Sequence, residues 1–126
     1  MIKYVLDASA VLALLFLENG FEKVGPILSE SAISTVNVTE ALTKLAQDRI
    51  SLDKASKDFF SLNLRIIDFT TPQSVKAAEL RPLTKHLGLS LGDRACLALA
   101  IQENATAVTA DRNWVGLSVC RIEAIR

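Results

Sequence analysis

Ile2-Lys3-Tyr4-Val5-Leu6-Asp7-Ala8-Ser9 decides how the rest of the chain is read. Ile2 to Leu6 is a short apolar run with Ile and Val, and reads as a buried strand. Ser9 then opens an apolar helix to about Glu18, and Asn19-Gly20 stops it. The same alternation recurs downstream. A helical stretch from Phe21 to Ser29 is bent by Gly25-Pro26. Ala32 to Val36 reads as a strand. Asn37 follows as a cap, and a helix runs from Val38 to Arg49 with Ala41, Leu45 and Ala46 on one face. Asp53 to Leu62 is another helix, started by the Ser51/Asp53 region, and Leu64 to Phe69 another strand. Thr71-Pro72 starts a helix that falters near Pro82, and Gly88 ends the stretch after that proline. Ser90 opens a very apolar helix to Glu103. Thr106 to Ala110 is a strand, Asp111 to Val115 one helical turn, and Ser118 to Ile122 a last strand at a sheet edge. Short apolar strands alternating with helices indicate an α/β fold, with a mainly parallel sheet covered on both faces. Sites in such sheets lie beyond the carboxyl ends of the strands.

The chain has 126 residues, the length of a single domain spanning residues 1–126. Lys+Arg and Asp+Glu are 14 each, a formal net charge of zero, which excludes a strongly basic coat for non-specific nucleic-acid binding. An apolar content of 50% against 22% charged residues excludes an acidic disordered chain. A mean hydropathy of +0.31 implies a full core and one buried association surface. Cys96 and Cys120 sit in apolar contexts with no metal-ligand spacing, as core residues of a reducing compartment. Val11 to Leu17 is far short of the roughly 20 residues of a membrane span. Asp7 interrupts the N-terminal apolar stretch, and Ala8-Ser9-Ala10 precedes the apolar run where a cleavage site would follow it. The expectation is a soluble cytoplasmic protein with no membrane association.

Four acids stand at telling positions. Asp7 follows the first strand, Glu40 begins the helix after the second, Asp93 opens the most apolar helix, and Asp111 follows the strand Thr106 to Ala110. Each has a plain structural role available. Asp7 and Asp111 can cap helical turns, and Asn37/Glu40 and Ser90/Asp93 have capping-box spacing. Jointly they suggest more. Strand ends and the helix starts that follow them share one rim, so Asp7, Glu40 and Asp111 should meet. Asp93 opens a helix leading into the Asp111 strand, and on this reading its start falls at the opposite rim unless the helix crosses obliquely. Two carboxylates about 4 Å apart repel by about 4 kcal/mol at an effective dielectric of 20. A cluster of them is tolerable with a cation present, and hard oxygens with no His or Cys suit Mg²⁺ or Mn²⁺. That chemistry points to metal-assisted phosphoryl chemistry, with bound water made a better nucleophile.

Val5-Leu6-Asp7-Ala8-Ser9, Thr39-Glu40, Leu91-Gly92-Asp93-Arg94-Ala95-Cys96-Leu97-Ala98 and Thr109-Ala110-Asp111-Arg112 with Trp114, in this order, resemble the PIN-domain ribonucleases. The closest group is the VapC-type toxins of toxin–antitoxin pairs, and the resemblance covers essentially the whole chain. It implies a three-layer α/β/α sandwich with a central, mainly parallel sheet of four to five strands. It also implies that all four acids gather in one pocket. By the same resemblance the protein would be a Mg²⁺- or Mn²⁺-dependent endoribonuclease acting on tRNA or rRNA, a homodimer, silenced by a small antitoxin that also binds operator DNA. Asp7 and Asp93 would be the main metal ligands, and Glu40 and Asp111 would complete the set. Ser9 and Thr109 would fix carboxylates by hydrogen bonds, and Arg94 and Arg112 would meet RNA phosphates. Some relatives carry a further acid two positions after the last aspartate. Asn113 stands there, which leaves a second metal site open.

His86, the one histidine, lies at a polar helix end and suits a C-terminal charge role better than a catalytic triad. Trp114 and Tyr4 read as packing residues rather than base-stacking platforms, and Leu12, Leu15 and Phe16 as core or dimer interface. Two alternatives compete with the nuclease. One is a phosphatase-like enzyme with Asp7 as nucleophile, although Ser9 stands where the second aspartate of Asp-x-Asp would be. The other is a non-catalytic binding module whose acids only cap helices.

Overall fold

The computed structural model describes residues 1–47 and 51–126. Its sheet has five short strands: β1 (Tyr4–Leu6), β2 (Ser31–Ser34), β3 (Arg65–Ile67), β4 (Thr106–Thr109) and β5 (Ile122–Ala124). They lie in the order β3-β2-β1-β4-β5, and every pairing is parallel. The α-helices are α1 (Ala8–Phe16), α2 (Thr35–Gln47), α3 (Leu52–Phe60), α4 (Thr71–Thr84) and α5 (Leu91–Gln102).

Adjacent residues on a strand point to opposite faces, and here they feed two separate cores. Leu6, Ile33 and Val108 pack with Val11, Ala41 and Phe59, so α1, α2 and α3 cover one face. Val5 and Ala107 pack with Ala77, Leu80, Leu97 and Trp114, so α4 and α5 cover the other. This is the three-layer arrangement: the central strands β1, β2 and β4 are covered on both faces, while the edge strands β3 and β5 stay partly exposed. Both cysteines are free. Cys96 is buried beneath β1 and Cys120 half-buried. Among the described residues no helix is long and apolar enough to cross a membrane.

Several elements differ from their expected bounds. The stretch after Gly20 forms two 3₁₀ segments, Phe21–Lys23 and Gly25–Glu30, in place of one bent helix. Gly20 has φ +94°, and a Cβ there would overlap the Ile125 carbonyl, so this turn docks directly on the chain after β5. Helix α2 begins at Thr35, straight from β2, and Ser34 Oγ accepts the Val36 N–H (3.2 Å) at its start. Asn37 therefore lies inside the helix and is no cap. The expected helix end at Arg49 lies outside the described residues. Helix α4 is capped by Thr70, whose hydroxyl accepts the Gln73 N–H, and continues through Pro82 to Thr84. Pro82 is tolerated because only the last turn lies beyond it; Lys85–Leu87 then tightens to 3₁₀ and Gly88 (φ +66°) ends it. The last strand starts at Ile122, later than expected, but does lie at the edge, pairing with β4 from Ala107↔Ile122 to Thr109↔Ala124.

The direction of α5 matters most for the site. Only residues 103–105 separate its end from β4, too few to recross the sheet, so α5 runs against β4 and begins at the carboxyl rim. Helix α4 runs antiparallel beside it: Gln73 at the start of α4 bonds Gln102 at the end of α5 (3.0 Å), and Arg94 near the start of α5 bonds the Ala77 carbonyl (2.9 Å). The start of α5, with Asp93, is thereby returned to the rim that the strand pattern denied it.

Candidate active site

The chain leaves β1 at Leu6, and the Asp7 N–H still donates to the Val108 carbonyl of β4 (2.9 Å). This holds Asp7 between the two central strands at their carboxyl ends, where β2 and β4 diverge to either side of β1. Asp7 is only 5% exposed. It occupies the N-cap position of α1, yet its side chain makes no capping bond. Its Oδ2 is taken instead by two hydroxyls, Ser9 Oγ (2.7 Å) and Thr109 Oγ1 (3.1 Å). Each hydroxyl has a single proton, and both protons point at Asp7. Their lone pairs accept backbone N–H groups, from Ala110 to Ser9 (2.9 Å) and from Asp111 to Thr109 (3.1 Å). Ser9, in the first turn of α1, is thus a tie between the start of α1 and the end of β4, and does not cap the helix.

The electrostatics of Asp7 report its neighbours. Burial raises its pKa most, and the charges of Asp93 and then Glu40 raise it further. The Ser9 and Thr109 hydroxyls oppose them, and the balance pushes the carboxyl from 3.8 up to about 6. The charges of Asp93 in α5 and Glu40 in α2 thus act on Asp7 at the end of β1.

Glu40 lies half-buried on the second turn of α2. Its Oε1 accepts a hydrogen bond from Asn37 Nδ2 (2.8 Å), one turn back. The other Asn37 amide hydrogen goes to the Gly92 carbonyl (2.9 Å). Gly92 also makes the space for Glu40, since a Cβ there would overlap the Glu40 carboxylate. Asp93 closes the reciprocal capping box foreseen for it: Ser90 Oγ accepts the Asp93 N–H (3.2 Å), and Asp93 Oδ2 accepts the Ser90 N–H (2.9 Å). The capping box foreseen for Asn37 and Glu40 does not form. Asn37 and Gly92 carry no separate signal as site residues in the chain, except that Asn37 falls one turn from Glu40 on the helix face that also buries Ala41.

Asp111 stands at the same rim, past β4. Its Oδ1 accepts the Asn113 N–H (2.9 Å), capping the turn that places the buried Trp114. It is not among the groups that shift Asp7. Arg112 is exposed beside it. Arg94 runs beneath α4 to the Ala77 carbonyl, and its Nε is buried without a partner among the described residues. Its guanidinium is thus turned toward α4 rather than out from the rim.

In all four acids the hydrogen bonds found use one oxygen only: Asp7 Oδ2, Glu40 Oε1, Asp93 Oδ2 and Asp111 Oδ1. The other oxygen of each carboxylate makes no hydrogen bond among the described residues. Among the described residues no three His, Cys, Asp or Glu side chains are drawn together tightly enough to form a ready metal cage. The donor set nevertheless suits Mg²⁺ or Mn²⁺, being hard, anionic, and destabilised by its own charge.

The chain matches the PIN domain family over residues 4–118. Its fold is similar to that of several solved structures. One is VapBC2 from Rickettsia felis bound to a promoter DNA fragment, with TM-score 0.74 and 23% identity over 98% of each chain. Another is DNA-bound VapBC from Salmonella typhimurium, with TM-score 0.74 and 20% identity over 100% of each chain. A third is FitAcB from Neisseria gonorrhoeae, with TM-score 0.73 and 19% identity over 97% of each chain. No curated protein sequence gives a significant match. With the family match spanning both cores and all four acids, the chain belongs to the PIN domain family.

Proposed function

We propose that this protein is a metal-dependent endoribonuclease of the toxin type, hydrolysing phosphodiester bonds of tRNA or rRNA. The observation that carries the reading is the buried Asp7, held by two hydroxyls and pushed up to about 6 chiefly by burial, with the charges of Asp93 and Glu40 adding to it. A fold that only needed helix caps would not bring three acids from separate elements into one another's field. Asp7, Asp93 and Glu40 would hold the ion through their unbonded oxygens, with Asp111 completing the set at the rim. A bound Mg²⁺ or Mn²⁺ supplies Lewis-acid stabilisation of the phosphodiester and makes water a better nucleophile. Ser9 and Thr109 hold Asp7 in one orientation, and Arg112 offers an exposed cation for the RNA backbone. The phosphatase-like alternative is less well supported, because Ser9 stands where Asp-x-Asp chemistry needs its second aspartate and its hydroxyl is committed to Asp7 Oδ2.

Similarity to a solved toxin–antitoxin complex from Klebsiella pneumoniae supports a cognate antitoxin as partner; the homodimer rests on the family resemblance alone. The deciding experiment is RNA cleavage by the purified chain with Mg²⁺ or Mn²⁺ and with EDTA. Cleavage that needs the ion and is lost in Asp7→Asn and Asp93→Asn is expected. An unchanged rate in either variant overturns the assignment. Co-expression with the neighbouring small reading frame should yield a complex; toxicity of the chain expressed alone tests the toxin part separately.

A further inference from the structure

Asn37 is fully buried in the third position of α2, and its side-chain amide is unevenly used. Both Nδ2 hydrogens have acceptors, Glu40 Oε1 at 2.8 Å and the Gly92 carbonyl at 2.9 Å. Oδ1 is buried with no partner among the described residues. The orientation is forced, because turning the amide over would set Oδ1 against two acceptors. A buried polar atom left unsatisfied costs stability, so packing alone does not account for an amide here. What the amide does is join two elements. Glu40 belongs to α2 and Gly92 to the first turn of α5, immediately before Asp93. Gly92 matches it from the other side, since the Glu40 carboxylate fills the space its side chain would occupy.

We infer that Asn37 and Gly92 form a clamp that sets the Glu40 carboxylate against Asp93, so that Asn37 is a positioning residue for the metal-dependent reaction. The inference rests on the reading of the site as a metal-dependent nuclease. Asn37 donates to the carboxylate and to the backbone one residue before the second acid, which ties the spacing of Glu40 and Asp93 to one planar group. Neighbours of this kind are worth about ten- to a hundredfold in metal affinity.

Three variants test it: Asn37→Asp, Asn37→Ser and Gly92→Ala. Asn37→Asp keeps the shape, removes both donors and sets a like charge on Glu40. Asn37→Ser retains one short donor that cannot span both acceptors. Gly92→Ala improves helix propensity in α5 while its methyl displaces the Glu40 carboxylate. Mn²⁺ affinity by calorimetric titration, cleavage rate, and thermal unfolding in EDTA are measured on each and on the wild type. The expected result is a loss of Mn²⁺ affinity of about tenfold or more in Asn37→Asp and Gly92→Ala. Gly92→Ala should unfold in EDTA at the wild-type temperature or above, a separation that a merely structural role would not produce. In a Glu40→Gln background the Gly92→Ala loss should shrink, because the carboxylate it displaces is already disabled. If Gly92→Ala binds Mn²⁺ and cleaves RNA as the wild type does, the clamp is refuted while the nuclease reading stands. If the wild type neither binds Mn²⁺ nor cleaves, the reading of the site fails and the clamp with it.

Discussion

Ser9 and Thr109, 100 residues apart in the chain, donate to the same atom, Asp7 Oδ2. Their own oxygens approach to 3.3 Å, but both protons are committed to Asp7, so that approach is contact and not a bond. The buried carboxylate thus has its orientation fixed from both sides, by the start of α1 and the end of β4.

Removing one of these donors should loosen the acid without unfolding the protein. Ser9→Ala and Thr109→Val should each lower Mn²⁺ affinity about tenfold. Ser9→Ala also strands the Ala110 N–H and Thr109→Val the Asp111 N–H, and each should cost about 1–3 kcal/mol in urea unfolding. The double variant should lose less than the two affinity losses multiplied, since both act on one oxygen.

The raised pKa of Asp7 fixes the sign of a pH effect. In the metal-free folded chain Asp7 keeps its proton up to about pH 6, whereas in the unfolded chain it ionises near 3.8. Folded protein therefore binds more protons between these values, and stability falls as pH rises through that window, by about 3 kcal/mol at most. Above pH 6 this contribution is flat. Asp7→Asn should abolish that slope and be the more stable protein at pH 7 in EDTA. Unfolding curves at pH 4, 5, 6 and 7 check it; equal pH slopes for the two proteins would falsify the burial account.

Metal should reverse the penalty. At an ion concentration about a hundred times Kd, unfolding free energy should rise by about 2.7 kcal/mol, and EDTA should remove the gain. Asp7→Asn and Asp93→Asn should show little of it. Thermal unfolding with and without Mn²⁺ is the measurement.

The two arginines beside the acids should separate. Arg94 braces α5 against the Ala77 carbonyl, so Arg94→Met should cost about 1 kcal/mol of stability and leave Mn²⁺ affinity unchanged. Exposed Arg112→Ala should leave stability unchanged and weaken RNA binding, with a shallower salt dependence. Binding curves at two salt concentrations beside urea unfolding distinguish them.

The parts of the fold legible in the chain were those fixed by local chemistry. Ile2 to Leu6 and Thr106 to Ala110 announce buried strands because both faces need apolar residues, and Thr71-Pro72 announces a helix because proline suits the first turn. Ser90 and Asp93 announce a capping box and form one. What could not be read depends on partners distant in sequence. Asn37 has cap chemistry, but its amide is claimed by Gly92, 55 positions away. Asp93 is misplaced only if the short 103–105 connection is overlooked, since a helix that feeds directly into β4 ends at the amino rim and must start at the carboxyl rim. Pro82 is a breaker on propensity, yet so near the end of α4 that the helix outlasts it. Arg94 and Arg112 look equivalent as neighbours of acids, and only packing turns one inward.

The pocket takes one wall from β1 and the other from β4, with Asp7 and Thr109 102 residues apart in the chain. During synthesis the first acid emerges early, the start of α5 follows at Leu91, and the second hydroxyl partner comes only with Thr109. A nascent chain halted before Thr106 holds Asp7 without the surface that buries and orients it. The hydrogen-bonded setting of Asp7 is therefore complete only once Thr109 has been made.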